Sequence, residues 1–74
     1  MVKYLEVHHS TATGTVTYEI GVLKEADGNW SALTFTVPGK PTQHIANDSR
    51  FSTEDEAVSL AMAEAEKYMA KGND

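Results

Sequence analysis

Residues 14–24 read Gly-Thr-Val-Thr-Tyr-Glu-Ile-Gly-Val-Leu-Lys, and their alternation decides the fold. Val16, Tyr18, Ile20 and Val22 recur at every second position, with Thr15, Thr17, Glu19 and Gly21 between them. A period of two belongs to a strand with one apolar and one polar face. Upstream, residues 2–10 read as another strand, with Leu5 and Val7 on one face and Tyr4, Glu6 and His8 on the other. Ser10 to Gly14 supplies the turn between them. Downstream, residues 29–37 put Leu33, Phe35 and Val37 on one side and Trp30, Ala32, Thr34 and Thr36 on the other. This third strand follows Asp27-Gly28, a strong hairpin signal because glycine accepts the positive φ that tight turns require. The three segments predict an antiparallel meander.

Pro38-Gly39-Lys40-Pro41 ends the third strand, since proline has no backbone N–H to give to a ladder. Residues 43–46 read either as a short edge strand with Ile45 inward or as part of a long loop, and Asn47-Asp48-Ser49 as a turn.

From residue 51 the hydrophobic period changes to about 3.6. Thr53 followed by Glu56 forms a capping box, and Glu54 and Asp55 fall in the first turn, where carboxylates favour the positive end of a helix dipole. A helix over about residues 54–71 follows. Ala57, Val58, Ala61, Met62, Ala65, Tyr68 and Met69 share an arc of about 140° on a helical wheel, the width of a core-facing stripe. Ser59, Glu64, Glu66, Lys67 and Lys71 lie outside it. The expected fold is α+β: a three- to four-stranded antiparallel meander with one C-terminal helix on one face, all in a single domain over residues 1–74.

The chain's 74 residues carry 11 Asp and Glu against 6 Lys and Arg, a net charge of -5. Most of the excess lies late: residues 1–50 sum to -1 and residues 51–74 to -4. An acidic balance argues against nonspecific binding of nucleic acid, which depends on Lys and Arg displacing counterions from phosphates. With no cysteine, neither a disulfide nor a thiolate metal site is available. Neither a membrane-spanning run nor a secretory signal pattern is present, so a soluble, cytoplasmic protein is expected.

The chemistry-bearing residues favour structural readings. His8 and His9 are strand neighbours pointing to opposite faces and cannot share a metal from a regular strand. The Glu54-Asp55-Glu56 run is accounted for as helix cap and first turn. No Gly-x-Ser-x-Gly elbow, glycine-rich phosphate loop or His-x-x-x-His pair occurs, so no enzyme activity, metal or other cofactor is expected.

One helix covers one side of a three-stranded sheet, so the other side is the candidate functional surface. The expected contacts are Tyr4, Thr17, Trp30 and Thr34 on that open face, with Glu64 and Glu66 on the helix. An exposed tryptophan and tyrosine suit a protein partner. They could also stack on the bases of a single strand, but this face lacks the interleaved Lys and Arg that such binding uses. A protein partner therefore ranks first, with a homodimer whose open sheet faces or edges meet next and single-stranded nucleic acid last.

The order Asp27-Gly28-Asn29-Trp30-Ser31-Ala32, Pro38-Gly39, Thr42, then Thr53-Glu54-Asp55-Glu56-Ala57 with Ala61, Glu64, Ala65 and Tyr68 resembles the N-terminal domain of HicB-type antitoxins over about residues 15–70. In that family a small partial RNase-H-like domain blocks a basic mRNA-interferase toxin. The resemblance implies an acidic, non-catalytic partner of a basic protein. Phe51, Thr53, Glu56 and Ala57 also match a Phe-x-Thr-x-x-Glu-Ala pattern seen in short uncharacterised bacterial and phage proteins with a meander and one helix, which implies no activity.

Overall fold

A computed structural model describes residues 2–45 and 50–71. Four strands, β1 (Val2–Thr11), β2 (Gly14–Lys24), β3 (Trp30–Thr36) and β4 (Gln43–His44), lie in the order β1-β2-β3-β4, every neighbouring pair antiparallel. Helix α1 (Glu54–Lys71) follows and packs against β2 and β3. This is the expected α+β meander. The open alternative at residues 43–46 resolves into a two-residue strand, Gln43–His44, that does not include Ile45; Ala46 and the expected turn at Asn47-Asp48-Ser49 lie outside the described residues. Ile45 donates its N–H to Leu33 O at 2.8 Å and packs on the core, the inward position expected for it.

The connections follow local turn chemistry. Thr11 pairs with Gly14 across a two-residue turn, and the Thr11 hydroxyl donates to Gly14 O at 2.7 Å. Between β2 and β3, Gly28 has φ +91° and donates its N–H to Glu25 O, while Asp27 Oδ1 accepts the Asn29 N–H. Val37-Pro38-Gly39-Lys40 closes with a Lys40 N–H to Val37 O bond of 3.0 Å, and Gly39 has φ +80°. Proline second and a positive-φ glycine third are the requirements of a type II turn.

The helix N-terminus forms as its sequence predicts, with one difference. Thr53 Oγ1 accepts the Glu56 N–H at 3.3 Å, but the Glu56 carboxylate takes the hydroxyls of Thr53 and Ser52, both at 3.1 Å. Lys3 Nζ reaches Glu54 at 2.9 Å and ties the start of β1 to the start of the helix. Twelve residues further on, Glu66 lies beside His9. The spacing is consistent: six strand steps cover about 20 Å and twelve helix steps about 18 Å. The helix thus runs parallel to β1 and antiparallel to β2.

Ala57, Ala61 and Ala65 form the buried centre of the helix stripe, each 0% exposed. They face a sheet core of Tyr18, Ile20, Val22, Ala32, Phe35 and Val37. Alanine at the contact line lets the helix backbone come close, and larger residues such as Val58, Leu60, Met62 and Met69 fill in around the core from both flanks. Leu60 belongs to this apolar set although it lies off the arc read from the sequence. Tyr68 packs its ring edge-on to Phe35, with centroids 5.4 Å apart.

A β-bulge corrects the expected faces of β3. Gly21 pairs with Thr34 but Val22 pairs with Ala32, so Leu33 is an extra residue without a partner on β2. One extra residue inverts the side-chain parity on one side of it. Phe35 keeps its inward position opposite Ile20, whereas Ala32, expected outward, turns inward opposite Val22 and is buried. Trp30 pairs with Lys24, two residues beyond Val22, and moves with Ala32 to the helix side. It is half-buried there, with Lys24 Nζ 6.0 Å from its ring centroid, and its backbone bonds both ways to Phe51, at 2.7 and 2.8 Å. Leu33, expected in the core, is half-buried and outside the core cluster. Trp30→Ala should therefore lower the unfolding free energy by about 2 kcal/mol, roughly half the cost of truncating a fully buried aromatic. The denaturant midpoint should fall with the slope unchanged.

Candidate functional site

The register assigns the face away from the helix: Val2, Tyr4, Glu6, His8 and Ser10 from β1; Thr15, Thr17, Glu19, Gly21 and Leu23 from β2; Ser31, Thr34 and Thr36 from β3; and His44 from β4. Tyr4, Thr17 and Thr34 stand where the sequence places them. The face divides into three zones along its strands.

At one end lies an apolar patch. Among the described residues, the large hydrophobics that are exposed are Val2 at 40% and Tyr4 at 62%, two positions apart on the same face of β1. Leu23 sits opposite Val2, and the Tyr4 ring lies across Gly21. A Cβ at residue 21 would come 2.7 Å from Thr34 Oγ1 and 3.1 Å from Tyr4 Cε1. Gly21 is thus the space that lets Tyr4 lie flat beside Thr34, an aromatic ring covering a strand glycine. In the middle, Glu6 and Glu19 are directly opposite each other, a like-charge pair that disfavours the isolated sheet. Towards the β1–β2 turn, His8 Nδ1 and Thr17 Oγ1 are 2.9 Å apart. None of the strand residues on this face is Lys or Arg.

No protein-family model, curated protein or solved structure matches the chain.

Of the residues read as contacts from the sequence, Trp30 lies elsewhere, and Glu64 and Glu66, on α1 as expected, stand apart from the open face. Trp30 belongs to the helix side, as described above. Glu66, placed outside the apolar arc, is half-buried and turned towards the sheet: Tyr18 donates its hydroxyl to Glu66 Oε2 at 3.0 Å, and His9 Nδ1 lies 3.6 Å from the same oxygen. Its first role is to satisfy the hydroxyl of a tyrosine that is 2% exposed. Glu64 lies on the opposite flank of the helix, where with Lys67, Lys71, Gln43 and His44 it lines a shallow hollow of about 330 Å³. The six expected contacts thus divide among four places, and Tyr4, Thr17 and Thr34 remain together on one of them.

A larger hollow of about 530 Å³ opens on the helix side, between the β1–β2 turn and the end of α1. Val16, Val37, Pro38 and Met69 give it apolar walls, with His9, Glu66 and Lys40 at its polar margin. The His8–Thr17 hydroxyl and imidazole pair is on the other side of the sheet and does not open into it. His8 and His9 point to opposite faces, as adjacent strand residues must. Among the described residues, no three His, Asp or Glu side chains converge as a metal-ligand set. No described helix is long and apolar enough to cross a membrane.

Burial first, then the hydrogen bond and charge of Glu66, hold the Tyr18 phenol well above its ordinary range. The folded state thus retains a proton that the unfolded chain releases near pH 10. That stabilisation is complete below pH 10 and is lost as the pH rises above it. Tyr18→Phe should cost about 1 kcal/mol at neutral pH and flatten the alkaline decline, as measured by urea unfolding from pH 8 upwards. Gly21→Ala should cost about 1 kcal/mol by displacing Tyr4 and Thr34. Most of that loss should return in Gly21→Ala/Thr34→Ala, because the closest clashing atom is then gone.

Proposed function

We propose that the protein is a non-catalytic interaction module that binds a basic protein segment on the open face of its sheet. The observation that carries this reading is the joining of two features on one uncovered surface. The exposed Val2 and Tyr4 form an apolar anchor, and the Glu6–Glu19 pair stands immediately beside it with no Lys or Arg among the neighbouring strand positions of that face. An aliphatic or aromatic side chain of a partner covers Tyr4 and Leu23 while a Lys or Arg relieves the repulsion between the two carboxylates. Apolar anchoring supplies affinity and charge complementarity supplies register and encounter rate.

The motif order shared with HicB-type antitoxins points the same way, towards an acidic domain that occupies a basic protein. An antitoxin-like or inhibitor-like role in the cytoplasm is the biological form that fits. Nucleic acid is disfavoured by the same lack of cations on the face, and by the position of Trp30 on the other side of the sheet.

The test is capture from a lysate of the source organism by the immobilised protein, with retained proteins quantified against surface variants. Proteins bound through this face should be reduced at least tenfold by Tyr4→Ser and by Glu19→Lys. They should elute with rising salt and be unaffected by Glu64→Lys on the far flank of the helix. Capture that survives both open-face substitutions and disappears with Glu64→Lys would move the site to the helix.

A further inference from the structure

The two edges of the sheet differ sharply. β4 is two residues long, too short to template another strand. β1 has ten residues in continuous register with β2, without proline and without a bulge, and its outer edge pairs with no strand among the described residues. In an antiparallel ladder every second residue directs its N–H and C=O away from its neighbour, so β1 presents a row of such groups. The common protective device on such an edge is a free lysine, and here the lysine is engaged within the chain. Lys3 is the lysine of this strand, and its Nζ is 2.9 Å from Glu54. Above β1 the helix also stops short: α1 packs on β2 and β3, and Leu5 and Val7 of β1 are half-buried.

We propose that β1 pairs antiparallel with β1 of a second copy about a twofold axis at Val7, making one continuous eight-stranded sheet. This contact is made by the edge of the sheet rather than by the Val2 and Tyr4 patch, and Glu6 is the residue it has in common with the partner reading above.

The register follows from charge and length. A twofold axis normal to the sheet keeps both helices on one side and requires pairing residues of like parity, so it must pass through a residue pair. Axes at Leu5 or His8 leave at most seven residues of the described strand paired on each side. Axes at Glu6 or Val7 pair nine. The Glu6 axis sets Glu6 against its own copy and, with Glu19 on either side, lines four carboxylates across the sheet. The Val7 axis instead places Glu6 opposite His8 of the second copy twice, and Val7 against Val7 on the helix side. Thr17 already engages His8 through Nδ1, which leaves Nε2 to meet the incoming carboxylate. Val7 and Leu5 gain apolar cover where the helix gives little.

The chain has no cysteine, so single introduced thiols report the register directly. At the Val7 axis the two residues 7 have Cα atoms about 4.5–5.5 Å apart, within disulfide reach. The two residues 6 are about 8 Å apart and the two residues 5 about 14 Å apart, beyond it. Val7→Cys should cross-link to itself under mild oxidation. Glu6→Cys and His8→Cys should cross-link when mixed and not alone, a pair of exposed sites that keeps the test valid if Val7→Cys disturbs folding. In sedimentation equilibrium the unmodified chain should dimerise, His8→Glu should weaken the dimer at least tenfold, and Glu6→Lys/His8→Glu should restore it. A chain that stays monomeric at millimolar concentration, or self-linking of Glu6→Cys, would overturn the proposal.

Discussion

One helix must close the core of a sheet wider than itself. Four strands at about 4.8 Å spacing present a surface close to 20 Å wide, whereas a helix with its side chains is about 10–12 Å across. The solution is contact by alanine. Ala57, Ala61 and Ala65 let α1 settle onto β2 and β3, which carry the fully buried side chains, Tyr18, Ile20 and Val22 on β2 and Ala32 and Phe35 on β3. The outer strands receive what remains: Ile45 closes the β4 side, and Leu5 and Val7 stay half-covered on β1. Close seating also explains why the polar contacts between the helix and β1 fall towards the ends of that strand, at Lys3–Glu54 and His9–Glu66, where the core gives way to solvent.

Period and turn chemistry made the architecture legible. The alternation in β2, the Asp-Gly and Pro-Gly turns and the Thr53 cap each depend on residues close in sequence, and each appears in the structure. The bulge at Leu33 depends on pairing with a strand ten residues away. A trace of it was nevertheless present: Trp30 and Ala32 occupy even positions, while Leu33, Phe35 and Val37 occupy odd ones. Two apolar phases meeting within one strand are what a parity inversion leaves behind. Reading that strand in a single phase sent Trp30 to the wrong face.

The bond of Glu66 to Tyr18 escaped the sequence for a different reason. A helical wheel ranks positions by hydrophobicity and gives no weight to a polar group demanded by the opposite wall. Tyr18 was already assigned inward, and a buried phenol needs an acceptor. Glu66, at the edge of the stripe, is the residue placed to supply it. The open face was more legible, because Tyr4, Thr17 and Thr34 lie on the strand sides that alternation alone assigns. Its finer content, the flat seat of Tyr4 on Gly21 and the opposition of Glu6 and Glu19, is set by register and could not be read from either strand separately.

Strand order has a consequence for how the chain acquires its fold. Each strand pairs with the next in sequence, so the sheet is assembled from short-range contacts and carries a small loop-closure penalty. The residues that cover its apolar face, however, are synthesised after the sheet. At about 5–20 residues per second, the eighteen residues of α1 follow the sheet by one to a few seconds. During that interval Tyr18, Ile20, Val22 and Phe35 have no helix to bury them. The nascent hairpins remain only marginally stable until α1 docks, and that docking step makes the whole domain cooperative.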